Sequence, residues 1–179
     1  MRNYKTEGIV IKRRNFGEAD RILTIFSKRS GKIQVKAPGV RRITSKRSSH
    51  VELLNYCVFG LYEGKKLPVL TEAQSMDNFQ NIKGNLKKIG LAFHFCELID
   101  GLCAENQENI VAFALFRSTL NNLSLEDTDP EAVRENFETK LLSILGFLKL
   151  DTYPKNFNRT AFIEQILERK LKSRQVALS

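Results

Sequence analysis

Lys32-Ile33-Gln34-Val35-Lys36-Ala37 alternates polar and apolar residues without a break, and Pro38-Gly39 ends the run. A period of two puts Ile33, Val35 and Ala37 on one face of a strand and Lys32, Gln34 and Lys36 on the other. The segments on either side read the same way. Upstream, Glu7 to Arg14 alternates, with Ile9 and Ile11 opposite Val10, Lys12 and Arg14, and Asp20 to Ser27 is rich in β-branched residues and Phe. Downstream, Val51 to Tyr62 is a longer apolar and aromatic run in which Gly60 marks a bulge or a sharp bend. Leu67 to Ala73 is a fifth candidate strand, with Pro68 near its start. Asn15-Phe16-Gly17, Ser30-Gly31, Pro38-Gly39 and Glu63-Gly64 supply the turns between them.

Five short strands with one apolar face each cannot form a stable flat sheet alone, so closure into a small barrel is expected. A long bent strand in a barrel of this size fits an OB-fold best. An SH3-like barrel is the competing topology, and periodicity does not separate the two.

Beyond position 85 the period changes. Leu86 to Cys103 carries Ile89, Phe93, Cys96 and Ile99 at three- and four-residue steps, and Ile110 to Leu123 repeats the pattern. Asp129 caps a third helix, Pro130 occupies its first position, and Gly146 ends it. Val133, Phe137, Leu141, Leu142 and Leu145 are its expected stripe. A last helix is expected from Thr160 to Lys172. The fold class is therefore α+β: a five-stranded OB-fold barrel over residues 1–78, then an all-α domain over residues 79–179.

The 179 residues are 42% hydrophobic and 27% charged, enough to bury a core. Met1-Arg2-Asn3-Tyr4-Lys5 is not followed by an unbroken apolar stretch. No apolar run approaches the roughly 20 residues that cross a bilayer, so a cytoplasmic protein is expected. Of the net charge of +9, all the excess lies in the first fifty residues, where fourteen basic side chains face three acidic ones. A polyanion is the expected partner of that part, nucleic acid before membrane.

Catalytic chemistry is scarce. Cys57, Cys96 and Cys103 form no C-x-x-C pair, which argues against a structural zinc site and a disulfide framework. His50 sits in a polar, basic stretch, and His94 lies two residues from Cys96, a spacing that does not converge on one metal. Gly60 to Lys65 only resembles part of a phosphate-binding loop and lies between strands. No catalytic residue, metal or cofactor is expected.

Gly39-Val40-Arg41-Arg42-Ile43-Thr44-Ser45-Lys46-Arg47-Ser48-Ser49 is the sharpest local feature. Arg and Lys give charge-assisted bonds to phosphate, Ser and Thr add short hydrogen bonds, and Gly lets the backbone come close. The expected DNA-binding set is Arg41, Arg42, Lys46 and Arg47 in this loop, Lys32 and Lys36 just before it, and Lys12 and Arg14 from the first strand. Phe16, in a turn between charged residues, is the expected base-stacking ring. An RNA- or ribosome-associated OB-fold protein is the alternative reading.

Tyr4-Lys5-Thr6-Glu7-Gly8-Ile9-Val10-Ile11-Lys12, Gly17-Glu18-Ala19-Asp20-Arg21-Ile22-Leu23-Thr24, Gly31-Lys32-Ile33, the Gly39-Val40-Arg41-Arg42 loop, Leu61-Tyr62-Glu63-Gly64 and Leu70-Thr71-Glu72-Ala73 follow in this order. The series resembles the amino-terminal OB-fold of RecO proteins. Leu145-Gly146-Phe147 and Glu168-Arg169-Lys170-Leu171-Lys172-Ser173 are similar to that family's helical domain. The resemblance implies a non-enzymatic recombination mediator, cytoplasmic and nucleoid-associated. It would bind single- and double-stranded DNA, anneal complementary strands, engage the single-stranded DNA-binding protein and RecR, and help load RecA. Many RecO proteins carry a four-cysteine zinc module after the Leu-Gly-Phe position. Phe147 to Thr160 holds no cysteine here, so a compact form without that module is expected.

The resemblance also implies a groove in the helical half for the acidic, apolar carboxy-terminal tail of the single-stranded DNA-binding protein. Such a tail needs an apolar pocket beside a cation. Phe113, Phe116 and Arg117 are the expected residues.

Overall fold

The computed structural model describes residues 2–152 and 156–173. The strands are β1 (Asn3–Phe16), β2 (Asp20–Ser27), β3 (Gly31–Ala37), β4 (Tyr56–Tyr62) and β5 (Val69–Asp77). β1 pairs antiparallel with β2 and with β4, β2 with β3, and β4 with β5. β3 and β5 meet in parallel at Lys36 and Val69. The sheet thus closes into a barrel in the order β1-β2-β3-β5-β4. That parallel closure, with β1 shared between β2 and β4, is the OB connectivity and removes the SH3-like alternative.

β1 serves two neighbours because it bends. Its first part, Asn3 to Ile9, pairs with β4, and a bulge between Val10 and Lys12 redirects the rest along β2. A second irregularity in the β4–β5 ladder falls between Gly60 and Leu61, at the glycine expected to bend the chain. Ile33, Val35 and Ala37 enter one core with Val10, Leu23, Ile25, Phe59, Leu61 and Leu70.

Two expectations differ from the structure here. The run from Val51 to Tyr62 is a strand only from Tyr56, and Ser48–Val51 is a 3-10 turn. Leu54 adopts φ 70°, a left-handed conformation that interrupts extended chain, and the Asn55 side chain donates to the Ser49 and His50 carbonyls at 3.0 Å each. Lys32, expected in solvent, is buried. The segment Ala104–Ile110 groups with the barrel and lies along β3. Glu105 bridges to Lys32, Asn106 N–H donates to the Lys32 carbonyl at 2.9 Å, and the Gln34 amide donates to the Glu105 carboxylate at 3.2 Å. Gly31 permits this approach: a Cβ there would stand 1.9 Å from the Gln107 carbonyl oxygen.

The first compact unit is therefore the chain up to Phe79 together with Ala104–Ile110. The second holds Gln80–Cys103 and the chain from Val111 onward. A four-residue α1 (Gln80–Lys83) precedes α2 (Leu86–Leu102), α3 (Ile110–Ser124), α4 (Pro130–Ile144) and α5 (Arg159–Leu167). Asn85 caps α2 through bonds from Lys87 and Lys88 N–H, and Asp129 caps α4 ahead of Pro130. α5 is shorter than its apolar spacing predicts, because Glu168 turns left-handed at φ 53°.

The helical core stacks Phe95 and Phe116 against Phe137, with ring centroids 4.4 and 6.1 Å apart. Close to these rings lies a buried ionic cluster. Glu138 accepts from His94 Nε2 at 2.8 Å, Arg134 Nε at 3.0 Å and Arg159 Nε at 3.3 Å. Burial pushes its carboxyl up, but the bonds from His94 and Arg134 outweigh that and hold it below the ordinary range. Removing one partner of such a group leaves a buried charge unpaired, which is why the cluster is built from several donors.

Glu97 fastens the segment after α5. It accepts from Arg169 Nη1 at 2.5 Å and from the Lys172 and Ser173 N–H groups at 2.9 Å each. Burial raises its pKa, yet these bonds dominate and bring it from 4.5 to about 2. A depressed folded pKa contributes stability that is complete above the unfolded value and is lost as pH falls through the folded one. Glu97→Gln is therefore expected to be less stable than wild type at about pH 6, with the gap narrowing by about pH 3. Urea unfolding at both pH values measures it, and a gap independent of pH contradicts it.

Candidate nucleic-acid interface

The basic loop after β3 is fastened at both ends and in the middle. Val40 is fully buried in the barrel core. Gly39 takes φ 67°, and its N–H donates to Asp20 Oδ1 at 2.9 Å. That bond, then Lys36 at 3.3 Å, lowers the Asp20 pKa. Arg41 N–H donates to the Ala19 carbonyl at 2.9 Å, and Arg41 Nη1 reaches the Gly17 carbonyl at 3.1 Å. The loop is thereby tied to the β1–β2 turn. Further on, His50 Nδ1 meets Ser75 Oγ at 2.8 Å and accepts from Ser75 N–H at 3.2 Å, which ties the 3-10 turn to β5.

Arg47 has a different role from the one expected. Its Nη1 donates to the Leu70 carbonyl at 2.7 Å and its Nη2 to the Pro38 carbonyl at 2.8 Å. The fork that would grip a phosphate instead joins the end of β3 to β5, so Arg47 is a staple of the loop. Lys32 also leaves the expected set, covered by the returning segment. Arg13 and Arg21, which the charge pattern does not single out, ion-pair with Glu52, Arg21 at 3.7 Å.

The remaining cations gather on one rim. Directly opposed residues on neighbouring strands share a face. Arg14 opposes Ile22, which opposes Lys36, so both cations flank one buried isoleucine on the outer face. Lys12 opposes Thr24, which opposes Gln34, and forms the next row on that face. Arg41, Arg42 and Lys46 are exposed on the loop. Phe16 is 44% exposed, with Lys36 Nζ 5.4 Å from its ring centroid. One face of the ring thus carries a cation, a geometry that favours an electron-rich face. Lys65 and Lys66, both exposed, belong with this rim. Their loop reaches the end of β3, where Lys36 N–H donates to the Pro68 carbonyl at 2.9 Å. In the sequence they are legible only as a turn, Glu63-Gly64, followed by two lysines.

In the helical unit the expected docking residues separate. Phe113 and Phe116 are core, at 2% and 0% exposure, and only Arg117 reaches the surface. The rings do not line an open pocket, because the apolar stripe of α3 is the face it packs inward. An open groove of about 730 Å3 lies elsewhere in this unit, lined by Leu86, Ile89, Phe93, Leu171, Lys87 and Arg134 among others. Leu86 is 86% exposed beside it. Among the described residues no group of three or more His, Cys, Asp or Glu could hold a metal ion. All three cysteines are buried, and burial raises the Cys96 thiol pKa well above its ordinary value. No helix among the described residues is long and apolar enough to cross a membrane.

Comparison with known proteins agrees with this architecture. Residues 1–79 match the family model described as "Recombination protein O N terminal", and residues 83–149 match "Recombination protein O C terminal". Similar proteins named DNA repair protein RecO include that of Acetivibrio thermocellus, 38% identical over 147 residues, covering 82% of this chain and 59% of that protein. The Symbiobacterium thermophilum protein is 33% identical over 147 residues, covering 82% and 58%. That of Dehalococcoides mccartyi is 37% identical over 145 residues, covering 81% and 57%. The chain spans a little under three fifths of the length of these relatives.

The geometry separates two kinds of arginine, and substitution should too. Arg42→Ala with Lys46→Ala is expected to melt like wild type and to flatten the salt dependence of single-strand binding by about 0.7 for each phosphate no longer neutralised. Arg47→Ala is expected to cost about 1–3 kcal/mol of stability, because two carbonyls lose their donor. Thermal melts and salt titrations of binding measure both, and an Arg47→Ala protein as stable as wild type contradicts the staple.

Proposed function

This chain belongs to the RecO family, and from that premise we propose that it is a non-enzymatic mediator of DNA repair and recombination whose barrel rim holds DNA. The observation that carries the proposal is the rim itself. Lys12, Arg14, Lys36, Arg41, Arg42 and Lys46 present cations on and beside one face, while Asp20, Val40 and Arg47 keep their loop in place. Such a surface binds phosphates of any sequence, and its affinity falls with salt.

Annealing follows from charge. Two strands approach against mutual repulsion, and a rim that neutralises phosphates on both lowers that barrier. Neutralising charge and holding bases for pairing need no nucleotide hydrolysis, so the reaction runs without ATP. Phe16 stacks a base on its uncovered face and keeps it available for pairing. Cytoplasmic, nucleoid-associated location follows from the ligand.

The helical unit recruits protein partners. The carboxy-terminal tail of the single-stranded DNA-binding protein, acidic and apolar, suits the groove at Leu86 and Phe93, where Lys87 supplies positive charge; Arg134, also in the lining, is paired with Glu131 and Glu138. This replaces the Phe113, Phe116 and Arg117 address. RecR binding and help in loading RecA complete the role, and both rest on family membership.

The test is annealing of complementary strands coated with the single-stranded DNA-binding protein, in the absence of ATP. The chain is expected to accelerate annealing when the coating protein carries its tail, and less when the tail is removed. Leu86→Glu should abolish that dependence while naked strands still anneal. Acceleration only with ATP contradicts the proposal, as does no acceleration on naked strands.

A further inference from the structure

Ile43 stands at the corner of the basic loop with its side chain wholly in solvent, at 105% relative exposure. Ser45 N–H donates to the Arg42 carbonyl at 2.9 Å, which closes a turn with Ile43 and Thr44 as its central residues. Such corners favour Gly, Pro, Asn, Asp and Ser for backbone reasons, and a β-branched apolar residue has none of those advantages. The core does not use it either. A residue that breaks the local rule while its side chain stays in water is where function departs from folding.

Its surroundings indicate the ligand. Arg41 and Arg42 precede it, Lys46 follows three residues on, and all three reach the surface. The loop beneath does not wander. Arg42 N–H donates to the Gly39 carbonyl at 3.1 Å, Arg41 N–H to the Ala19 carbonyl at 2.9 Å, and Arg47 joins two strands. Ile has few rotamers to lose, so ordering both loop and side chain is largely done before a ligand arrives. One rigid apolar probe with three cations beside it along the loop matches a stack of bases edged by phosphates. A lipid surface would call for a wider apolar face than a single side chain.

We propose that Ile43 is a wedge that enters a base step of bound DNA while Arg41, Arg42 and Lys46 hold the flanking phosphates. The inference rests on the barrel rim being the DNA-binding surface. Insertion of an apolar side chain unstacks the step it enters, and burial of that side chain between bases largely offsets the broken stacking. The cost is least where stacking is already weakened. The wedge therefore acts at junctions between single and double strands, where opening the first paired step exposes bases for exchange.

The experiment uses the full chain and a duplex with a single-stranded overhang, carrying 2-aminopurine at the first paired position. Fluorescence of 2-aminopurine reports unstacking, and anisotropy of the same DNA with a fluorescein end label reports affinity. Wild type should raise the 2-aminopurine signal on saturation. Ile43→Ala and Ile43→Ser should bind within about threefold of wild type and lose most of that rise, because the cations that hold the phosphates remain. Ile43→Leu should restore it. A rise that survives in the Ala and Ser variants overturns the wedge. So does wild-type binding with no rise, which leaves the phosphate-binding rim intact. Absence of wild-type binding in the anisotropy channel would overturn the rim reading and the wedge with it.

Discussion

The Arg47 guanidinium and the Asp20 carboxylate together decide what shape the basic loop of the barrel takes. A loop with this many like charges and hydroxyls has no reason to hold one shape by itself. Arg47 fixes its far end to the Pro38 and Leu70 carbonyls, and Asp20 fixes its near end through the Gly39 N–H. Val40 drops a hydrophobic anchor into the core between them. With these three in place the remaining cations project from a fixed frame beside Lys36 and the β1–β2 turn. One arginine is withdrawn from the proposed DNA-binding rim, and its bonds give its neighbours defined positions.

That division of labour is not visible in the sequence. Arg42 and Arg47 sit in the same basic, hydroxyl-rich stretch, and nothing local distinguishes a phosphate ligand from a staple. Only the packing of β3 against β5 brings two carbonyls within reach of Arg47. Lys32 is a similar case: its alternation is real and places it on the outer face. A segment from the far side of β5 in the chain then covers it, and no nearby residue announces that. What is legible follows from period and chirality. Ile33, Val35 and Ala37 are buried as their alternation requires, Gly60 lies at a register shift, and Asp129-Pro130 opens α4.

The helical unit shows where period runs out. α2 is apolar on most of its circumference, so three- and four-residue steps pick Phe93 and Ile89 as easily as Ala92, Phe95 and Leu98. The core takes the second set and leaves Phe93 40% exposed at the groove. For α3 the spacing picks out Phe113 and Leu120, which face inward with Phe116, while Ile110 and Ala114 of the same run are exposed, so Phe113 and Phe116 support the fold. Buried polar groups then do what hydrophobic packing cannot. Glu138 gathers His94, Arg134 and Arg159 from three helices, its own among them, and Glu97 holds the backbone after α5. Each carboxylate fixes the register of elements that a greasy surface would leave free to slide.

If one rim of the barrel, framed by the stapled loop, receives the DNA backbone, then backbone amide chemical-shift mapping with an oligothymidylate single strand tests it most directly. Perturbations are expected at residues 12–16, 36, 39–46 and 65–66, with the helical unit largely unchanged. Perturbations confined to the helical unit, or to the opposite end of the barrel around Lys28 and Arg29, would contradict it.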